Sequence, residues 1–265
     1  MSGRLRLVPI VLFALYGIYY YFSNRQTVPI TGRKQIVDIS REQESALGLQ
    51  SYRQILRREQ IITSGANADA VREVGRKISA VAEDPGFHWD YKLIDSPQVN
   101  AFCLPGGKVA VYSGIMPVAK NVNGLAVIMG HEIAHAIARH GAERMAQQKL
   151  MQIGQMAVGV SVSDMDINQQ RAIMGALGLG AQYGLMLPFS RDHESEADYM
   201  GLIYVARACF DPTEAPKLWE RMGQASGGRG TAEFMSTHPS HATRIKQFQE
   251  WMPEALQIRK EKCGI

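Results

Sequence analysis

Residues 129–143 read MGHEIAHAIARHGAE, and the reading of this stretch decides what the rest of the chain must supply. It carries three histidines, His131, His135 and His140, with Glu132 directly after the first. From Val122 onward the apolar residues recur with a helical period, and Gly141 stands where a C-terminal cap is expected. Residues four apart on an α-helix differ by about 40° around the axis and by one turn along it. His131 and His135 can therefore turn both imidazoles onto one metal ion. Glu132 is placed to reach a water at that metal rather than the metal itself. His140 is a different matter, because on a continuous helix it projects about 140° from His135 and about 180° from His131. A metzincin would break the helix with a glycine three residues after the second histidine, and Ala138 stands there instead. His140 is thus expected as a surface or cap residue near the helix C-terminus, where a positive charge is mildly favoured. The competing structural reading is an amphipathic helix with two polar histidines.

A catalytic zinc takes three protein ligands and keeps one position open. The best source of the third is LPFSRDHESEADYMG, residues 187–201. Glu194 and Asp198 are four apart on a predicted helix and share a face, whereas Glu196 points about 200° from Glu194 and His193 lies about 100° off that face. With Glu194 as ligand, Asp198 can accept a hydrogen bond from a ligand imidazole and fix its orientation. A solvated acidic helix is the plain alternative for this segment.

The remainder of the chain bounds the class. Its 265 residues are 46% hydrophobic and 20% charged, which describes a folded chain of one substantial domain with an appendage, or two small domains. The net charge of +4 is spread out, and the longest basic cluster, IRKEK near residue 260, is broken by Glu261, so charge gives no footprint for nucleic acid. Cys103, Cys209 and Cys263 show no CxxC spacing, make neither a zinc knuckle nor a disulfide scaffold, and barely constrain the compartment.

At the N-terminus, Arg4 and Arg6 precede an apolar run from Leu7 to Phe22. Such a helix reaches about 24 Å, slightly short of the roughly 30 Å hydrocarbon core, and Tyr19, Tyr20 and Tyr21 suit the headgroup interface. No small-residue cleavage site follows, so an uncleaved single transmembrane anchor is expected over residues 1–24. The positive-inside rule leaves its N-terminus in the cytoplasm and sends the rest across the membrane, with Arg25 and Arg33 a weaker opposing vote. Residues 25–40 read as a linker, since Pro29 and Gly32 break any helix. Helices are predicted over 40–64, with Ser40 as N-cap, and over 67–83, followed by a turn at Asp84-Pro85-Gly86. HWDYKLIDS, QVNAFCL and GKVAVYSG read as strands of a small sheet, with Pro105-Gly106-Gly107 as hairpin. Asp164, Asp166 and Gln169 divide the apolar stretch 145–187 into pieces too short to cross a membrane, so buried helices are expected there. Further helices follow over 191–207, 213–224 and from near His241. The fold class is α+β, mainly helical, with the metal-binding domain over 41–255 and a tail over 256–265.

At this point the residues resemble a known family. HEIAH with a downstream ExxAD (Glu194, Ala197, Asp198) is similar to the gluzincin zinc metallopeptidases that include HtpX, the CAAX prenyl proteases and the periplasmic proteases LoiP and BepA of the Oma-type branch. VNAFCLPGGKVAVYSG (99–114), SRDHESEAD (190–198), FDP…LWERM (210–222) and STHPSHATRI (236–245) match that branch in type and order. VPITGRKQ near residue 28 resembles the segment that opens its mature domain, so the match covers about residues 28–255. The resemblance implies a zincin-like domain with one zinc per chain on His131, His135 and Glu194, and Glu132 as general base. It implies Asp198 as an outer partner or proton donor. It also implies that the strand around Asn100, Ala101 and Phe102 pairs with an extended substrate. In relatives His238 lies near the metal, covering it at rest or steadying the oxyanion, with a structural capping histidine as the alternative, and Arg244 orients it. The chain departs from HtpX and the prenyl proteases in showing one apolar run rather than several membrane spans, and relatives that add a tetratricopeptide tail do so after the matched segment. The implied activity is a zinc endopeptidase acting on unfolded or misassembled envelope proteins, anchored in the bacterial inner membrane with its domain on the periplasmic side. The mitochondrial inner membrane, or secretion after cleavage, is the alternative location. Two other functions compete: an assembly factor or chaperone that keeps the fold, and a zinc hydrolase of a non-peptide substrate.

Overall fold

The computed structural model describes residues 6–83, 85–181, 187–226, 238 and 243–265. Arg4, Asp84 of the expected turn, and STHPSHATRI apart from His238 and Thr243–Ile245 therefore lie outside the described residues. In chain order the elements are α1 (Val8–Ser23), β1 (Arg25–Thr27), β2 (Lys34–Ile36), α2 (Arg41–Leu56), β3 (Ile61–Ile62), α3 (Ala66–Ser79) and β4 (Asp90–Ile94). There follow β5 (Ala101–Leu104), β6 (Lys108–Tyr112), α4 (Met116–Ala119), α5 (Val122–Ile137), α6 (His140–Ser161), α7 (Ile167–Ala181), α8 (Leu187–Arg207), α9 (Glu214–Ser226) and α10 (Thr243–Cys263). The architecture is the mainly helical α+β arrangement that the periodicities imply.

Two compact units divide the chain: one comprises residues 1–28, 32–39 and 140–192, the other 29–31, 40–139 and 193–265. In the second unit the local chemistry follows the sequence closely. Ser40 caps α2 through a capping box, its hydroxyl accepting from the Gln43 N–H at 3.2 Å while Gln43 Oε1 accepts from the Ser40 N–H at 2.9 Å. Helix α3 buries Ala68, Val71, Val74 and Ile78, one stripe at helical spacing. Gly75 in that stripe admits the Tyr91 ring, which would lie 2.3 Å from any Cβ there. The sheet runs β3-β4-β6-β5, with β4 and β6 parallel and the other pairs antiparallel. Gly106 and Gly107, at φ 81° and 78°, turn the β5–β6 hairpin, as a left-handed pair requires. That hairpin leaves β5 at the sheet edge. On one face Phe102 packs its ring between Tyr52 and Tyr112, at centroid distances of 6.4 and 6.2 Å. Helix α5 crosses the unit and is buried from Gly124 through Ala134, so it reads as apolar on every side rather than as a stripe.

Three expectations need correction here. Helix α5 stops at Ile137 with Ala138 as its cap, and the residue in left-handed conformation is Arg139 (φ 61°), not Gly141. A tertiary interaction outweighs the local glycine signal, since the Arg139 Nε donates to Glu44 Oε2 at 2.7 Å and both residues are buried. His140 accordingly opens α6 and is buried, rather than closing α5 at the surface. The cysteines are more constraining than their spacing indicates, because Cys209 and Cys263 form a disulfide across 54 residues. It ties the end of α10, in the segment read as a tail, to the turn after α8.

In the first unit the anchor expectation finds no support. No helix among the described residues is long and apolar enough to cross a membrane, and α1 has 16 residues. Instead α1 packs along α6, where Gly154 leaves room for the Phe13 ring; a Cβ there would lie 3.0 Å from Phe13 Cζ. Arg6 adds a backbone hydrogen bond to the Ser161 carbonyl at 2.9 Å and an ion pair to Asp164 at 2.6 Å. The expected linker carries the β1–β2 hairpin, and beside it Arg33 makes a two-pronged pair with the buried Glu143 at 2.9 and 2.7 Å. The apolar stretch 145–187 is divided as expected, with residues 162–166 between α6 and α7, but the helices are not the buried ones expected, since Met156, Val160, Ile167 and Leu179 are exposed.

A disulfide that closes a 54-residue loop acts mainly on the unfolded chain. Cys263→Ser is therefore expected to lower the unfolding free energy by about 2–4 kcal/mol. Urea melts of wild type with and without reductant, beside the variant, check this: reductant should move the wild type to the variant's midpoint and leave the variant unchanged.

Candidate metal centre

The centre lies wholly within the second unit, where α5 and α8 touch backbone to backbone. Gly130 on α5 and Gly201 on α8 are the contact: a Cβ on Gly201 would stand 2.8 Å from the His131 nitrogen, and one on Gly130 would stand 3.0 Å from the Gly201 carbonyl. A glycine inside a helix costs about 1 kcal/mol relative to alanine, so two of them facing each other mark a packing demand. The contact sets His131, the next residue on α5, opposite the face of α8 that carries Asp198 and, one turn further, Glu194.

The donor atoms converge as a result. Among the described residues, His131, His135, Glu194 and His238 each offer one ligand atom, and these atoms lie within 4.8 Å of one another. His131 Nε2 is 3.1 Å from His135 Nε2 and 3.2 Å from His238 Nδ1. Each of the two helical imidazoles stands 3.4 Å from a different Glu194 oxygen, and His238 Nδ1 is 3.0 Å from both. Three imidazole nitrogens and a carboxylate crowded together lack enough protons in their neutral forms to satisfy one another, and a tetrahedral N/O-binding cation fits that donor set. His131 and Glu194 are buried, while His135 and His238 retain partial exposure, so the cluster is approached from their side.

Around this set the electrostatics are closed. His131 Nδ1 is 2.9 Å from Asp198 Oδ1, which leaves Nε2 turned to the cluster. Arg244 on α10 clasps Asp198 with Nε on one oxygen and Nη2 on the other at 2.8 Å, and its Nη2 also reaches Glu194 Oε2 at 3.2 Å. Burial opposes ionisation of both carboxyls, yet Glu194 is held well below the usual range by the three histidines and Asp198 by Arg244 and His131. Burial likewise depresses His131, but hydrogen bonds to Asp198 and Glu194 outweigh it and push the imidazole up to about 9. Glu132 behaves oppositely: burial pushes its carboxyl above the ordinary value, against the pull of His238 and His131. Its oxygens meet His238 Nε2 at 3.3 Å and the backbone N–H of Cys103 on the edge strand β5.

The remaining expected residues fall as follows. Asn100 precedes β5, where its carbonyl accepts from Tyr112 N–H at 3.0 Å, and Ala101 and Phe102 open the strand, with Phe102's ring directed into the aromatic cluster. Glu196 is buried and accepts from Thr31, while His193 is buried outside the converging set. Arg244, expected to orient His238, grips Asp198 and Glu194 instead. Sequence reasoning missed Gly130, Gly201 and Trp219. The first two were detectable as glycines inside helices, and Trp219 lay in the LWERM run without an assigned duty.

The sequence matches Peptidase family M48 over residues 66–252. It is similar to the mitochondrial metalloendopeptidase OMA1 of Schizosaccharomyces pombe, 38% identical over 249 residues, covering 92% of this chain and 71% of that protein. The human mitochondrial metalloendopeptidase OMA1 is 30% identical over 264 residues, 95% of this chain and 50% of its own length. The beta-barrel assembly-enhancing protease of Escherichia coli K12 is 28% identical over 232 residues, 85% of this chain. Of those last two relatives the chain spans about half the length, 50% and 47%.

Because the α5–α8 contact sets the distance from His131 to Glu194, Gly201→Ala should part them. The expected result is metal binding at least about tenfold weaker, together with about 1–3 kcal/mol of lost stability from overpacking. Competition against a chromophoric chelator and a urea melt measure the two; unchanged metal affinity would refute the role given to this contact.

Proposed function

The chain belongs to peptidase family M48 and is a metalloendopeptidase, and on that premise we propose that it cleaves extended segments of unfolded or misassembled proteins with one zinc ion per chain. The observation that carries the proposal is the convergence of His131, His135 and Glu194 beside Glu132, directly below the edge of β5. Zinc, when bound there, supplies a Lewis acid that polarises the scissile carbonyl and acidifies water. The other steps belong to side chains. Glu132, with its carboxyl raised above the ordinary value by burial, takes the proton of the attacking water and delivers it to the leaving amine nitrogen. Asp198, clasped by Arg244 and bonded to His131, stays an anion and positions the imidazole, so we assign it no proton donation.

Substrate binding follows from the strand. Backbone groups on an edge strand alternate between partner-facing and outward-facing residues. Since the Cys103 N–H turns to Glu132, it and Ala101 present outward groups, whereas Phe102 faces β6. Of the stretch Asn100, Ala101 and Phe102, Ala101 is therefore the residue whose main chain would hold an added peptide, its carbonyl directly and its N–H on release from Asn100 Oδ1 at 2.9 Å, and such bonds read backbone and not side chains. That suits unfolded chains and disfavours a non-peptide substrate.

His238 supports a gated enzyme. Its Nδ1 stands within the donor set and its Nε2 faces Glu132, so at rest it occupies ground that substrate and water need. For location we propose a membrane face, the periplasmic side of a bacterial inner membrane, with the mitochondrial setting of the OMA1 relatives as the alternative. Helix α1 supports this with Leu7, Val8, Val11, Leu12, Leu15, Ile18, Tyr19 and Phe22 all exposed, an apolar band suited to lie at a lipid surface. An assembly factor without proteolysis is the second reading, and the intact Glu132 disfavours it, since only hydrolysis needs that carboxylate.

Two outcomes test the reading. Glu132→Gln should retain zinc, assayed by atomic absorption, yet cleave casein about 10²–10⁴-fold more slowly; cleavage at the wild-type rate would sink the mechanism. His238→Ala should keep zinc and cleave casein faster than wild type, and slower cleavage would reassign His238 to transition-state support.

A further inference from the structure

Trp219 is buried on α9, outside the donor set and with no part in any step of hydrolysis, yet its position is not that of ordinary core. The Arg244 guanidinium lies over its ring with the central carbon 3.4 Å from the ring centroid. The His131 imidazole meets the same indole edge-on, at a centroid distance of 5.9 Å and an interplanar angle of 72°. One ring therefore touches a ligand imidazole and the arginine that clasps the aspartate bonded to that imidazole.

The charge arrangement explains why a flat aromatic is needed there. Arg244 is buried, and while Nε and Nη2 are engaged by Asp198 and Glu194, Nη1 has no hydrogen-bond partner among the described residues. A buried guanidinium loses the water over its plane as well as at its N–H groups, and the face of an indole replaces the former through its quadrupole. Stacking also confines the guanidinium to one plane, which is what a two-pronged grip on a carboxylate requires. Lysine could supply the charge but neither the stack nor the fork.

We propose that Trp219 and Arg244 form a positioning clamp that fixes the His131 imidazole for metal binding through Asp198. The loop of contacts closes on itself: Trp219 to Arg244, Arg244 to Asp198, Asp198 to His131, and His131 back to Trp219, drawn from α9, α10, α8 and α5 in turn. Neither residue touches the reacting atoms. The inference rests on the zinc reading above, and its test is built so that the two can fail separately.

The experiment compares wild type, Trp219→Phe, Trp219→Leu, Arg244→Lys and the Trp219→Leu/Arg244→Lys double variant of the full chain. Zinc affinity is measured by chelator competition, the visible spectrum is recorded with cobalt(II) in place of zinc, and thermal unfolding is followed without metal. Trp219→Leu and Arg244→Lys are each expected to weaken zinc binding about 10–100-fold and to shift the cobalt spectrum. Trp219→Phe, which keeps an aromatic face, should retain affinity within a few-fold. The double variant should be no weaker than the worse single one, since both remove one device. Lower thermal stability with unchanged zinc affinity and cobalt spectrum in the singles would overturn the clamp and leave Trp219 a packing residue, as would full additivity. Should Trp219→Leu fail to fold, a Trp219→Phe protein with wild-type affinity and an Arg244→Lys protein that also keeps wild-type affinity would overturn it equally. Failure of the wild-type chain to bind zinc would instead refute the metal reading on which the clamp depends.

Discussion

The approach of α5 to α8 at Gly130 and Gly201 is the constraint from which the centre follows. At most helix crossings side chains set the separation, and 8–10 Å between axes is ordinary. Here backbone meets backbone, with the Gly201 Cα region pressed against the His131 amide. A carboxylate has a short reach, and Glu194 can stand 3.4 Å from both helical imidazoles only because its helix comes this close. The neighbouring residues of each glycine carry the chemistry: His131 follows Gly130 directly, and Asp198 precedes Gly201 by one turn. The HExxH spacing provides two candidate ligands, but a close helix crossing decides whether a third can arrive.

Such closeness concentrates charge away from water, and the site holds together because each charge has an answer. Two carboxylates buried side by side would repel and one would take up a proton. Arg244 prevents that by bonding both, and the histidines on the other side add further positive potential. An isolated buried ion pair is weak evidence of stability, since desolvation offsets most of the attraction. The return here is geometric: a carboxylate held at both oxygens cannot rotate, and an imidazole bonded to it keeps one nitrogen aimed at the ligand set.

Sequence reveals the local parts of this construction and conceals the long-range ones. Helix spacing alone pairs His131 with His135 and puts Glu194 and Asp198 on a common face, because both follow from about 100° per residue. Turn chemistry likewise finds the β5–β6 hairpin and the Ser40 cap. What fails are readings in which a distant partner decides. Arg139 takes the left-handed conformation that Gly141 advertises, since Glu44, 95 positions away, holds it. His140 is buried for the same reason, the helix having ended earlier than its own residues indicate. Cys209 and Cys263 carry no spacing signal because their disulfide joins the ends of a 54-residue excursion. Arg244 falls in the same motif as His238, yet it answers the carboxylates of α8. The apolar run at the N-terminus reads as a membrane span by composition, and what composition cannot show is that one side of it packs on α6.

The edge strand joins these arguments to catalysis. Glu132 is raised by burial, and the general base proposed there would meet no water or peptide beneath a solid protein surface. Its position resolves that conflict, because beside it lies the outward edge of β5, whose backbone is held only by side chains, Asn100 at the Ala101 N–H and Glu132 at the Cys103 N–H, and not by another strand. The Cys103 N–H already reaches down to Glu132 from that edge. On the proposed function, a peptide that extends the sheet would be laid within reach of the base by the same hydrogen bonds that hold it, with its side chains pointing up and down rather than along the line of attack. Selection by backbone and placement of the scissile bond would then be one event. An enzyme so built would distinguish chains that can become a strand from those already folded, and the gate proposed at His238 would matter to it more than a side-chain pocket.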